Sequence, residues 1–182
     1  MSKAIGLVEY RTISTGLMAA DTLIKAAEVE VLEAHPVCPG KYIILVAGNL
    51  AAVKAAVSAA EAKYPELMVD SFVLGNPHEA IFPAIYGASE VGDVEALGMV
   101  ETFSVAGAIV AADVAAKTAN VNLVELRLAR GMAGKSFILF TGDVAAVTAS
   151  VEKAAKAVSD DGMLLDTAII PRPDRKLWDT IL

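Results

Sequence analysis

The sequence predicts an α+β chain in which one small domain is written twice. Residues 4–9, AIGLVE, return at 96–101 as ALGMVE. Asp21, Lys25, Ala27 and Val29 answer Asp113, Lys117, Ala119 and Val121 at that same spacing. The register then slips twice: Gly40-Lys41 answers Gly134-Lys135 after two residues are inserted in the second copy, and Asp70 and Pro77 answer Asp166 and Pro173 after two more. Two units of this length cannot be a solenoid, which stacks at least three short repeats to close a core. They are a duplicated globular domain, placed at 1–86 and 95–182, with the polar, Gly-containing YGASEVGDV at 86–94 as linker.

The elements follow in order along one copy. Residues 4–9 are a short buried strand, and 15–27 an Ala-rich helix with Leu17, Leu23 and Ile24 available for a core face. VEVLEA at 29–34 alternates apolar and acidic residues, the period-two pattern of a strand with one wet face. YIILVA at 42–47 is a fully apolar strand, and the turn between these two holds Cys38. Asn49 is placed to cap the next helix, LAAVKAAVSAAEAKY, as Asp143 is in the second copy, and Pro65 lies just beyond its end. DSFVL at 70–74 is the last strand, and HEAIFPAI closes the first copy as DRKLWDTI closes the chain. Strand, helix, strand, strand, helix, strand is the ferredoxin-like order.

Composition narrows the class. The 182 residues allow one or two domains, each small enough to lean on a neighbour. Hydrophobic residues make up 55% of the chain and mean hydropathy is +0.55. No run approaches the ~18 apolar residues a membrane span needs, since the longest candidate, 105–116, is broken by Asp113. The surplus, much of it Ala and Val, predicts surface buried between domains and subunits. The start MSKAIG has no basic region leading into an apolar stretch, which argues against export. One Cys allows no internal disulfide and makes a reducing cytosol the default. A net charge of −7 argues against a broad nucleic-acid surface.

The doubled signature AIGLVE…AADTLIKAA and ALGMVE…AADVAAKTANVNLV, the Gly-Lys before the third strand and the terminal IIPRPD together resemble the bacterial microcompartment shell domain. The resemblance covers nearly the whole chain, twice. It implies two tandem ferredoxin-like microcompartment domains in a trimeric pseudo-hexamer, because three chains of two domains each surround one axis. The loop VCPGKY is similar to that of the tandem-domain, iron-sulfur-binding shell proteins of propanediol-utilisation compartments. That implies a 4Fe-4S cluster, one per trimer, held at the pore by Cys38 of three subunits, with an electron-transfer role. The implied partners are a homotrimer, other shell proteins, and an encapsulated or cytosolic redox enzyme. The implied location is the shell of a cytoplasmic microcompartment.

The residues themselves bear on each of these expectations. A lone Cys is ordinarily a small buried hydrophobe. Here Pro36, Pro39 and Gly40 frame Cys38 in a stiff, exposed turn, and the resemblance implies that Val37, Pro39 and Gly40 are pore-loop residues. One thiolate cannot hold a cluster that takes about four ligands, but threefold symmetry would converge three, each binding one iron and leaving the fourth to water, a small thiol or a partner. Zinc on three thiolates plus one further ligand is the alternative. The second copy reads LARGMAGKS there and has no thiol, so only one ring of ligands exists. His35 is placed to supply or tune a ligand, though a strand-end His is more often a solvated surface group. His78 lies in the turn before the short helix, where copy one reads GNPHE and copy two PRPDR.

Lys25 and Lys117 sit near the end of the first helix of each copy, where the helix dipole favours a cation. The resemblance places both at the tile edge, with Arg172 as an edge contact in the second copy only. Lys41 and Lys135 brace the loop or begin the strand. No catalytic constellation is visible among two His and one Cys, so an enzyme is not expected. GMAGKS at 131–136 lacks the spacing of a phosphate loop and precedes a strand. The competing functions are a ferredoxin-like oligomeric small-molecule-binding regulator, and a shell tile with a metabolite pore and no cluster. Fold alone does not separate these.

Overall fold

Asn49 and Asp143 act as the sequence predicts. In the computed structural model, which describes residues 4–89, 95–160 and 162–181, Asn49 Oδ1 accepts from Ala51 N at 3.0 Å and Asp143 Oδ1 from Ala146 N at 2.8 Å. Each satisfies an N–H that the first helical turn leaves orphaned. The elements are β1 (Ala4–Tyr10), α1 (Ile13–Ala26), β2 (Glu30–Val37), β3 (Lys41–Gly48), α2 (Leu50–Lys63), β4 (Met68–Leu74) and α3 (Ile81–Ile85). They recur as β5 (Ala96–Thr102), α4 (Val105–Thr118), β6 (Asn122–Arg127), β7 (Ser136–Gly142), α5 (Val144–Ser159), β8 (Leu164–Pro171) and α6 (Arg175–Ile181). Part of the expected linker, 90–94, lies outside the described residues.

The chain forms two compact units. One is Met1–Pro77 with Arg130–Gly134, the other His78–Ala129 with Lys135–Leu182. Each holds one antiparallel four-stranded sheet, in the order β2-β3-β1-β4 and β6-β7-β5-β8, the ferredoxin-like arrangement the element order predicts. In the first unit Val8, Tyr10, Ile44 and Val46 of the sheet pack with Leu23 of α1 and Val53, Ala56, Val57 and Ala60 of α2. Gly6 lets α2 approach: a Cβ there would lie 2.6 Å from Val53 Cγ1.

Two expectations are corrected. Of Leu17, Leu23 and Ile24, only Leu23 is buried, while Leu17 and Ile24 are exposed. The face turned inward carries the small residues Thr15, Gly16, Ala19 and Ala20, and Gly16 sits so close to Tyr42 that a Cβ would lie 2.4 Å from Tyr42 Cβ. The alternation in VEVLEA also fails to fix its faces. The pairing runs Val31↔Val46 and then Glu33↔Leu45. This bulge skips Leu32, leaving Val31 exposed and reversing the expected faces beyond it.

In the second unit the buried residues of α4 include Val105, Ala108, Ile109, Ala112 and Asp113. Ser150 Oγ of α5 donates to Ala115 O at 3.1 Å, tying the two helices together. On the opposite face of the sheet Leu97, Val124 and Leu139 receive Trp178 and Ile181 of α6. The short helix α3 packs on β6 in this same unit. Among the described residues no helix is long and apolar enough to cross a membrane.

Candidate functional site

The β2–β3 turn is built by Gly40. Its N–H donates to Val37 O at 2.9 Å, and its φ of +96° is a conformation that favours glycine. Val37 is buried and anchors the turn, whereas Cys38, Pro39 and Gly40 are exposed. Cys38 is a free thiol at the tip. Lys41 begins β3 and sends Nζ to Glu9 Oε1 at 2.6 Å, so it both braces the loop and starts the strand. Glu9 is almost wholly buried and faces Asp70 across the β1–β4 ladder. Burial raises the Asp70 carboxyl above its ordinary range, against the lowering effects of the Ser71 N–H and the Lys41 charge.

A contact the sequence reading did not anticipate lies beside this turn. The longer loop of the second repeat, Arg130–Gly134, belongs to the first unit. Gly134, at φ +88°, packs on the Cys38 carbonyl, and a Cβ built there would lie 3.1 Å from that oxygen. Arg130 pairs with Glu33 at 3.3 Å, and the same carboxylate takes His35 Nε2 at 2.8 Å. His35 is therefore held by Glu33, with a largely covered side chain, where the sequence suggested a solvated group. Ala129, Gly131, Ala133 and Gly134 all have positive φ. Two non-glycine residues in that region within one short loop mark a tightly specified backbone. The available signal was the insertion of two residues together with paired glycines, opposite the only thiol.

Lys25 and Asp21 form an exposed i,i+4 pair at 2.8 Å. Their counterparts Lys117 and Asp113 pair at 2.7 Å, but Asp113 is buried and its Oδ1 also accepts from His78 N at 2.8 Å. The His78 ring lies in the turn before α3, its Nδ1 accepting from Ala80 N at 3.3 Å. Arg172 is exposed, with φ +51°, matching Asn76 at φ +55° in the first repeat. Lys135 is exposed immediately before β7. Among the described residues no group of three or more His, Cys, Asp or Glu comes together that could hold a metal ion within one chain. Cys38 alone thus supplies one exposed thiolate ligand per chain, a donor set that fits a metal or cluster only if several chains present it together.

Known proteins share this architecture. The BMC domain family model matches residues 4–77 and again 96–173. The chain is 39% identical over 178 residues to the bacterial microcompartment shell protein PduT of Citrobacter freundii, covering 98% of this chain and 97% of that protein. It is 42% identical over 79 residues to the shell protein PduA of the same organism, covering 43% of this chain and 83% of PduA. A solved structure of a microcompartment protein from Desulfitobacterium hafniense is similar at a TM-score of 0.93 and 47% identity, covering 98% and 99% of the two chains. Two domain matches in tandem, on two sheets of identical strand order, establish that the chain belongs to the BMC-domain family as a two-domain bacterial microcompartment shell protein.

Proposed function

We propose that three chains close into a pseudo-hexameric tile of the shell facet, and that Cys38 of each presents its thiolate at the shared axis to hold one 4Fe-4S cluster. The observation that carries this reading is the placement of the single thiol at the exposed tip of a braced turn, in one repeat and not the other. The cluster would supply one-electron transfer between the two faces of the shell. Cys38 of each chain would hold one iron, a fourth iron would be left to water, a small thiol or a partner, and the Glu9–Lys41 pair and the Gly134 contact hold the turn. The tile is a structural and electron-transfer element and not an enzyme. Lys25, Lys117 and Arg172 lie at its edge toward other shell proteins, and a redox enzyme on one face is the implied electron partner.

The test is iron and sulfide analysis of protein reconstituted anaerobically, alongside light scattering. The expected result is about four irons per trimer with a paramagnetic signal on reduction. In Cys38→Ser both should vanish while the trimer persists, because substitutions on exposed turns typically change stability by under about 0.5 kcal/mol. Iron retained in Cys38→Ser, or none taken up by the wild type, overturns the cluster and leaves a shell tile with a metabolite pore. Zinc found in its place would indicate a mononuclear three-thiolate site.

A further inference from the structure

The chain carries one docked copy of a contact and both undocked halves of a second. In the docked copy, the turn after β4 places Asn76 in the left-handed region, His78 N donates to Asp113 Oδ1 of α4, and α3 lies on β6. Ile81 of α3 is 0% exposed and Leu123 of β6 is 3% exposed.

The corresponding turn after β8 has the same local form. Arg172 is left-handed like Asn76, and Asp174 Oδ1 accepts from Lys176 N at 2.8 Å, two residues on, as the His78 ring accepts from Ala80 N. Yet Asp174 N has no partner among the described residues, and Leu177, which answers Ile81, is 43% exposed. The receiving surface in the first repeat is equally bare. Asp21, which answers Asp113, has a side chain 62% exposed against 10%, and among the described residues its side chain pairs with Lys25 alone. Val31, which answers Leu123, is 39% exposed.

We propose that these halves meet between chains: Asp174 N of one subunit donates to Asp21 of the next, and Leu177 covers Val31. The occupant is a second copy of this chain, because the donor and acceptor are counterparts of a pair already joined within it. Repeated head to tail, such a heterologous contact closes a ring or runs on as a filament. The inference rests on the ring-shaped tile proposed above and names the contact that seals it. It also assigns Asp21 a role distinct from that of Lys25, on the same helix.

Two measurements test it on the full chain. Asp21→Ala should raise the concentration at which the oligomer dissociates on dilution at least about tenfold, the scale of losing one hydrogen bond to a charged group, without lowering the monomer's melting temperature. Asp113→Ala should instead lower the melting temperature and leave that concentration near wild type, because its contact lies within one chain. In a Cys38→Ser background, Asp21→Cys with Asp174→Cys should give disulfide-linked chains up to the full ring on oxidation, and each single change should not. His78→Cys with Asp113→Cys should close within one chain and calibrate the geometry. Dissociation unchanged in Asp21→Ala, or an intact wild-type ring whose Asp21→Cys/Asp174→Cys form stays uncrosslinked while the calibrating pair closes, overturns the contact and leaves the tile standing. A wild-type chain that stays monomeric in light scattering overturns both.

Discussion

The two repeats share a fold but fill one end of it differently. In the first, Tyr10 and Tyr42 face each other across the β1–β3 ladder and Gly16 makes room for Tyr42. In the second, the positions are Thr102 and Ser136 across β5–β7, with Ala108 on the helix. All six are buried. Two tyrosines and a glycine stand against two small hydroxyl residues and an alanine, so the second repeat carries less side-chain volume at this end while the element order stayed fixed. The polar groups changed with it. Tyr42 OH donates to Ala34 O of β2 at 2.9 Å, pinning the strand that leads into the Cys38 turn, and Tyr10 OH donates to Ala60 O of α2 at 3.0 Å. Ser136 Oγ instead accepts from Ala129 N at 3.1 Å, holding the start of the longer loop. The core difference and the loop difference are thus parts of one change.

The largest effect expected from this comparison is at Gly16. Glycine inside an exposed helix costs about 1 kcal/mol relative to alanine, so Gly16→Ala would ordinarily stabilise. Here the new Cβ would lie 2.4 to 2.6 Å from Tyr42 Cβ, Cγ and Cδ1, and the sign reverses. A loss of about 1–3 kcal/mol is expected from overpacking, read as a lower denaturant midpoint. Tyr42→Ser, which copies the second repeat, costs stability by itself through the lost ring and hydrogen bond to Ala34 O, but in that background Gly16→Ala should cost less than it does in the wild type. An equal cost in both backgrounds would mean that Tyr42 is not what requires glycine at this site.

Much of this was legible in the residues. The duplication, the caps at Asn49 and Asp143 and the strand order follow from local chemistry and spacing. Leu17 and Ile24 misled because an apolar pattern around a helix does not say which stripe faces the core of its own chain. The small stripe at Gly16 and Ala19 won because it admits close approach to Tyr42. Val31 misled because a bulge shifts faces without leaving a mark in the alternation. The association of Gly134 with the Cys38 carbonyl joins residues of different repeats, and no periodicity reports a contact of that range.

A smaller effect is expected in that loop. Gly131→Ala and Gly134→Ala both force alanine to positive φ, at +73° and +88°, each costing about 1–2 kcal/mol of local strain. Only the second brings its Cβ to 3.1 Å from a Cys38 backbone atom, while the first meets nothing within 4 Å. The rate at which a maleimide alkylates Cys38, the only thiol in the chain, should therefore shift in Gly134→Ala and stay near wild type in Gly131→Ala. Equal rates in all three proteins would show that the second repeat's loop does not position the turn.

The smallest effect is one of pH, and it separates Tyr10 from its counterpart Thr102, which has no proton to lose in this range. Burial, followed by the charges of Glu61 and Tyr64, pushes the Tyr10 phenol from 10.0 up to about 12. Its ionised form is disfavoured in the fold, so the unfolded chain loses this proton first. The contribution of Tyr10 is fully present below pH ~10 and declines between pH ~10 and ~12, by at most about 1.4 kcal/mol per pH unit for one proton. Tyr10→Phe forfeits the hydrogen bond to Ala60 O and should be slightly less stable than wild type at pH 8, by about 1 kcal/mol. Above pH ~10 the variant escapes the titration, so the two stability curves should converge and then cross. Denaturant midpoints measured between pH 8 and 11 check this, and curves that stay parallel would place the alkaline loss of stability elsewhere in the chain.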